Sequence, residues 1–264
     1  MNDVVDTGVR GLESHLRAKR AAGRKLLLPY ITGGLAGWTE AIGAAASAGA
    51  DGVEVGIPFS DPVMDGPVIQ VASQRALEAG TTPDRVLEAL AQLDAGIPVS
   101  VMTYYNLVFR AGHERFAGGL RDAGVSGAIL PDLPLEEAGP WCEAADHAGI
   151  ETVLLAAPTA SDERLVRICA RSRGFVYSVG VLGVTGERRE LAATAVALAA
   201  RLKGITDRPV LVGVGVSNAE QAREAVRVAD GVIQGASVVR RLMDGGPDAV
   251  GAYVAEVREA IDAG

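Results

Sequence analysis

Two cysteines in 264 residues are too few for a disulfide scaffold, and neither Cys142 nor Cys169 stands in a CxxC metal pattern. Each lies in a helix-like stretch, where a thiol is an inert filler. Aromatic residues make up 4% of the chain, and 25 Lys and Arg face 33 Asp and Glu, for a formal charge of −8. A chain of that balance is a poor binder of nucleic acid or of anionic membranes. Any anionic ligand must then be held by local features that oppose the global charge. No apolar run reaches the ~18 residues of a membrane span. The first 25 residues lack the basic-then-apolar order of a secretory signal. These absences together predict a reduced, cytoplasmic setting.

Several chemistries are poorly supplied as well. His15, His113 and His147 fall in expected helices or at their starts. None shares a strand end with a carboxylate, so no metal triad can be assembled from them, and no metal is expected. No nucleophile motif is present. Lys25 is the one lysine at a strand end, which disfavours Schiff-base chemistry.

What is present points to an α/β protein. Apolar residues reach 48% and charged residues 22%, which excludes wholesale disorder. Glycine occurs 33 times, one residue in eight, and signals many tight loops. A recurring pattern runs down the chain: a short β-branched run, a Gly/Pro/Asp loop, then an Ala/Leu/Glu/Arg helix. The runs are 25–31, 51–57, 98–103, 127–130, 151–156, 174–179, 209–212 and 231–233. They are nearly continuous in apolar residues, as suits parallel strands buried on both faces. Helices are expected at 39–48, 113–122, 135–148, 161–172 and 218–228. Thr39, Ser161, and Ser217 or Asn218 are expected to cap them. Eight strand–helix units without a break in composition predict a single (β/α)8 TIM barrel, one domain over 1–264. Extra helices are expected at 8–22, before the first strand, and at 83–93. An open doubly wound sheet is the competing fold, but no GxGxxG follows the first strand.

Three segments carry the candidate chemistry. Alternation puts Glu54 on the strand face opposite Val53 and Val55, in the barrel interior or in the helix layer. An unpaired carboxylate in either place is costly to ionise, so its pKa should rise toward neutral. That makes it an acid/base candidate, and a structural Glu paired with a basic neighbour is the plainer alternative. Asp61 and Asp65 belong to turn sequences in the loop leaving that strand. From there Asp65 can border the same pocket as Glu54, and two carboxyl groups in unlike settings can divide roles. Gly213 and Gly215 follow the seventh run, and Gly235, Ala236 and Ser237 follow the eighth. Glycine-rich turns there, each opening a helix, form a phosphate cradle in barrel enzymes. Backbone amides bind an anion without a basic patch, which resolves the charge problem. Tyr30, Phe59, Tyr104, Tyr105 and Tyr177 fall at or beyond strand ends. They fill the core or border a flat apolar ligand.

The stretch Glu54-Val-Gly-Ile-Pro-Phe-Ser-Asp61-Pro-Val-Met-Asp65-Gly-Pro resembles the signature of tryptophan synthase alpha chains. So do Pro29-Tyr-Ile-Thr32-Gly, Met102-Thr-Tyr104-Tyr-Asn106, Pro131-Asp132-Leu-Pro134 and Gly183-Val-Thr185-Gly186. The resemblance implies a lyase that cleaves indole-3-glycerol phosphate by retro-aldol chemistry, as a step of tryptophan biosynthesis. By that likeness Glu54 is the general acid/base, and Asp65 offsets positive charge on the indole nitrogen. Tyr30, Met102, Tyr104, Ile129 and Tyr177 line the indole pocket. Gly186, Gly213, Gly215, Gly235 and Ala236 cradle the phosphate, and Thr185 holds Asp65 when the sixth loop closes. The likeness also implies a pyridoxal-phosphate beta chain as partner in an alpha2beta2 heterotetramer, with no cofactor in this chain. Three departures from the family pattern stand out. Gly180 and Val181 replace a Ser-Arg pair, Val214 replaces a Phe, and Gly235-Ala236-Ser237 replaces Gly-Ser-Ala. Rival readings are a stand-alone indole-releasing lyase, a non-catalytic phosphate-binding regulatory subunit and a phosphosugar isomerase.

Overall fold

The computed structural model describes residues 11–180, 188–213 and 215–263. Eight parallel strands close into a barrel in chain order. They are β1 (Leu26–Thr32), β2 (Val53–Gly56), β3 (Val99–Met102), β4 (Gly127–Ile129), β5 (Glu151–Ala156), β6 (Val176–Ser178), β7 (Val210–Val212) and β8 (Gly231–Gln234). Helices α1 (Leu12–Ala21), α2 (Trp38–Ser47), α3 (Pro67–Glu78), α4 (Pro83–Ala91), α5 (Tyr105–Ala111) and α6 (His113–Asp122) belong to the first half. In the second half come α7 (Gly139–Ala148), α8 (Asp162–Arg171), α9 (Arg188–Lys203), α10 (Ala219–Val226) and α11 (Ala236–Asp262). The expected TIM barrel with an additional N-terminal helix is the fold observed.

Period-two alternation sorts the strand residues into two cores. Leu26, Leu28, Ile129, Val153, Phe175, Tyr177, Leu211 and Ile233 fill the barrel. Val53, Val55, Val101, Ala128, Val176, Val212 and Val232 point outward and pack under the helices. Leu12 and Leu16 of α1 join the inner set and plug the lower mouth. Helix α1 starts at Gly11, which has no side chain to cap it. The Glu151 carboxylate substitutes, accepting the Glu13 amide at 2.7 Å from the foot of β5. At the same lower face Asp51, 1% exposed, accepts from the Leu27 amide, from Arg24 Nε at 2.6 Å and from Arg258 Nη1 at 3.0 Å. The charged side chains that lock the chain connections thus cluster at the N-terminal strand ends. The C-terminal ends remain for the site.

Helix starts depart from expectation where local chemistry intervenes. Helix α2 begins at Trp38 behind Gly37, whose φ of 73° is left-handed, so Thr39 lies inside the helix and donates to Glu40 instead of capping. The helix expected at 135–148 starts at Gly139 with Pro140 in its first turn. Proline lacks the N–H and its ring would clash with the carbonyl four residues back, so the helix cannot extend upstream. Asn218, not Ser217, caps α10 through the Gln221 amide at 2.9 Å. Ser161 caps α8 through the Arg164 amide at 3.3 Å. That bond is long, so Ser161→Ala should cost about 0.5–1 kcal/mol, read as a fall in the urea midpoint with unchanged m-value.

Candidate active site

Glu54 settles on the interior side of β2. In register it faces Tyr30 of β1 and Ser100 of β3. It is 1% exposed, and among the described residues its Oε1 has no hydrogen-bond partner. Burial raises its pKa to about 8. No cation among the described residues pairs with it, which argues against the reading of a Glu paired with a basic neighbour. The neutral acid is therefore the resting form at pH 7.

Two buried phenols flank it. Tyr30 and Tyr177 are both pushed upward by burial, and the charge of Glu54 adds to each. Tyr30 leans across Gly56, where any Cβ would overlap its hydroxyl. Tyr177 leans in the same way across Gly213. Both glycines are thus required by a ring, whatever else their backbones do.

Asp65 is half-buried in the loop between β2 and α3. Burial raises its pKa, and a hydrogen bond from the Tyr104 hydroxyl works against that rise. The same hydroxyl accepts the Met64 amide at 2.9 Å, and Phe59 stacks on the Tyr104 ring at 5.1 Å. Three contacts therefore pin the loop to the top of β3. The Asp65 charge is the largest effect on Tyr30 after burial, ahead of Glu54. Both carboxyl groups lie close enough to one phenol to act on its proton. Asp61 is exposed and accepts from Ser60. Met102 and Ile129 pair on the inner face of β3 and β4 and complete the apolar wall.

The turns after β7 and β8 stand at the C-terminal strand ends, as the loop after β2 does. Gly215 has φ +87°, a left-handed conformation that favours glycine. Gly235 precedes the first residue of α11, and a Cβ there would meet nothing within 4 Å, so its backbone is open to approach. The first amides of α11, including those of Ala236 and Ser237, lack intrahelical acceptors. They offer an anion site with the helix dipole behind it. The Ser237 hydroxyl does not serve that site, because it donates to the Ser217 carbonyl at 2.7 Å. Thr185, Gly186, Val181 and Val214 lie outside the described residues.

Other candidates fall away from this mouth. His113 packs among Tyr105, Phe109 and Trp141 and bonds the Tyr105 hydroxyl at 3.0 Å. Among the described residues no group of three or more His, Cys, Asp and Glu side chains could hold a metal. Cys142 and Cys169 are buried thiols. No described helix is long and apolar enough to cross a membrane. Thr32 stood in the sequence only as part of a family motif. Its buried hydroxyl hydrogen-bonds the Tyr30 phenol, which works against the upward push of burial. Alternation of Leu28, Tyr30 and Thr32 on one face was the signal that could have shown it.

A family model described as tryptophan synthase alpha chain matches residues 16–260. The chain belongs to the tryptophan synthase alpha chain family. The Streptomyces coelicolor alpha chain is 46% identical over 248 residues, covering 92% of each chain. The Synechocystis alpha chain is 44% identical over 255 residues, covering 92% of this chain and 96% of that one. Among solved structures, ligand-free M. tuberculosis tryptophan synthase with a TrpA G66V substitution aligns with TM-score 0.86 at 36% identity, over 95% of this chain and 98% of that one. The Legionella pneumophila alpha subunit aligns with TM-score 0.86 at 32% identity, over 97% and 100%. The matched span includes β2 with Glu54 and the loop after it with Asp65.

Proposed function

We propose that this chain is the alpha subunit of tryptophan synthase and cleaves indole-3-glycerol phosphate to indole and glyceraldehyde 3-phosphate. The observation that carries the reading is the pairing of a neutral, buried Glu54 with a Tyr104-bonded Asp65 around one phenol. The reaction needs a proton delivered to the indole carbon that bears the side chain. Glu54 supplies it, and positive charge then spreads to the ring nitrogen, where the Asp65 carboxylate offsets it. The glycerol hydroxyl next to the ring gives its proton to the Glu54 carboxylate. Its O–H electron pair forms the aldehyde C=O, and the C–C pair returns to the ring and neutralises the nitrogen. Glu54 ends protonated as it began. The steps draw on this chain's residues and call for no metal or organic cofactor. Pyridoxal phosphate belongs to the partner beta chain.

Tyr30, Met102, Tyr104, Ile129 and Tyr177 would hold the indole, and the backbone of Gly213, Gly215, Gly235 and Ala236 the phosphate. Thr185 and Gly186 would close the sixth loop on the same ligand. Val63, Met64 and Phe109 are 77%, 45% and 66% exposed in the β2–α3 loop and on α5. Large apolar side chains so exposed beside the mouth fit a protein partner. A beta chain seated there, in an alpha2beta2 assembly in the cytoplasm, would receive indole directly.

The test is a coupled assay of the purified chain on indole-3-glycerol phosphate, with and without a beta chain, following free indole. Slow release alone and faster release with the beta chain is the expected result. Absence of indole in both arms overturns the reading.

A further inference from the structure

The two turns that make the phosphate wall hang on different strands. Among the described residues the ladder between those strands pairs Leu211 with Gly231 and Val212 with Val232, short of Gly215 and Gly235. A second set of contacts ties the segments beyond it. Ser237, in the first turn of α11, donates through Oγ to the Ser217 carbonyl at 2.7 Å. Tyr253, beyond the kink of α11 at Gly246, brings its hydroxyl to 3.2 Å from the same carbonyl. That hydroxyl also donates to Gln234 Oε1 at 2.8 Å, in the last residue of β8. Gln234 is 1% exposed, and among the described residues its Nε2 has no partner, so the Tyr253 bond orients its amide. Arg241 binds the pieces: Nη1 donates to the Ser237 carbonyl at 3.0 Å, and the guanidinium lies 3.6 Å over the Tyr253 ring. From the α10 side, Gln221 Oε1 accepts the Ser217 amide at 2.8 Å.

We propose that Ser237 and Tyr253, locked by Arg241, are positioning residues that set the spacing of the two phosphate-binding turns from behind. Amide donors reward an anion only when they converge on it, and each lost convergence weakens the grip on the phosphate alone. The proposal rests on the phosphate reading given above. It assigns this chain a determinant of phosphate-ester affinity in two hydroxyls that face the Ser217 carbonyl and not the ligand.

The experiment compares two ligands that share one site, glycerol 3-phosphate and indole, by calorimetric titration of the full-length chain. Ser237→Ala and Tyr253→Phe should each weaken glycerol 3-phosphate about three- to tenfold, the loss of roughly one hydrogen bond. Indole affinity should not change. Ser237→Thr, which keeps the hydroxyl, should recover most of the glycerol 3-phosphate affinity that Ser237→Ala loses. Unchanged glycerol 3-phosphate affinity in both the Ala and Phe variants overturns the proposal. So does a parallel loss of both ligands, which marks general damage to the fold. Absence of glycerol 3-phosphate binding by the parent chain overturns the phosphate reading itself, and the proposal with it.

Discussion

Glu54→Gln should reduce turnover on indole-3-glycerol phosphate by ~2–5 kcal/mol of barrier, roughly 30- to 5,000-fold. The amide keeps the shape of the side chain and cannot give or take the proton. Substrate still binds, so the loss should fall on kcat more than on KM. The pH profile offers an independent check. Glu54 must begin protonated, and its pKa is about 8. Activity of the parent should therefore hold through neutral pH and decline as pH rises through about 8. Stability should fall with rising pH as well, beginning at lower pH than activity does. Relative to its ordinary value of 4.5, the folded carboxyl holds its proton more tightly, so folding is favoured fully below 4.5 and loses that contribution as pH rises through about 8. The Gln variant does not titrate there. It should gain on the parent in urea unfolding between pH 5 and 9 while staying nearly inactive. Equal turnover in the two proteins would refute the assignment.

The barrel was legible in the chain because its signals are local. Near-continuous runs such as Leu-Leu-Leu-Pro-Tyr-Ile-Thr mark a strand buried on both faces, and all eight runs overlap strands. Helix α5 was hidden for the same reason. Tyr105-Asn-Leu-Val-Phe follows β3 with apolar, β-prone residues and no Ser or Thr to mark a start. Its cap comes from elsewhere, as Asp132 after β4 accepts the Tyr105 amide. Helix α1 repeats the pattern with Glu151. A cap supplied from another strand leaves no trace near the helix it serves. The site divides along the same line. Glu54 and Asp65 stand in one motif and were readable together, whereas the face taken by Glu54 stayed open until the register fixed it. Gly213 read as a phosphate glycine, and a tyrosine ring from the next strand turns out to demand it as well. Ser237 stood in the sequence only as part of the altered phosphate turn. Its partner is the carbonyl of Ser217, twenty residues earlier, and only the closed barrel brings the two together.

Asp65→Asn is the second large effect, again ~2–5 kcal/mol in the barrier. The reason differs from that for Glu54. The ring nitrogen carries charge only after the carbon is protonated, so the carboxylate matters in the transition state and little before it. Asn still offers a carbonyl oxygen to the neutral indole N–H, and KM should change less than kcat. The pH profile separates the two roles. Asp65 must be ionised, so the parent should lose activity as pH falls through its pKa, and the Asn variant should lack that acid limb. Tyr104 sharpens the test. Its hydroxyl donates to the carboxylate and holds the Asp65 pKa below what burial alone would set. Tyr104→Phe removes that donor, so the proton is held more tightly and the acid limb moves to higher pH. It also frees the Met64 amide that the hydroxyl accepts, which loosens the loop and raises KM. An acid limb that stays in place in Tyr104→Phe and persists in Asp65→Asn would mean that another group sets it, and that Asp65 is not the charge on which the cleavage depends.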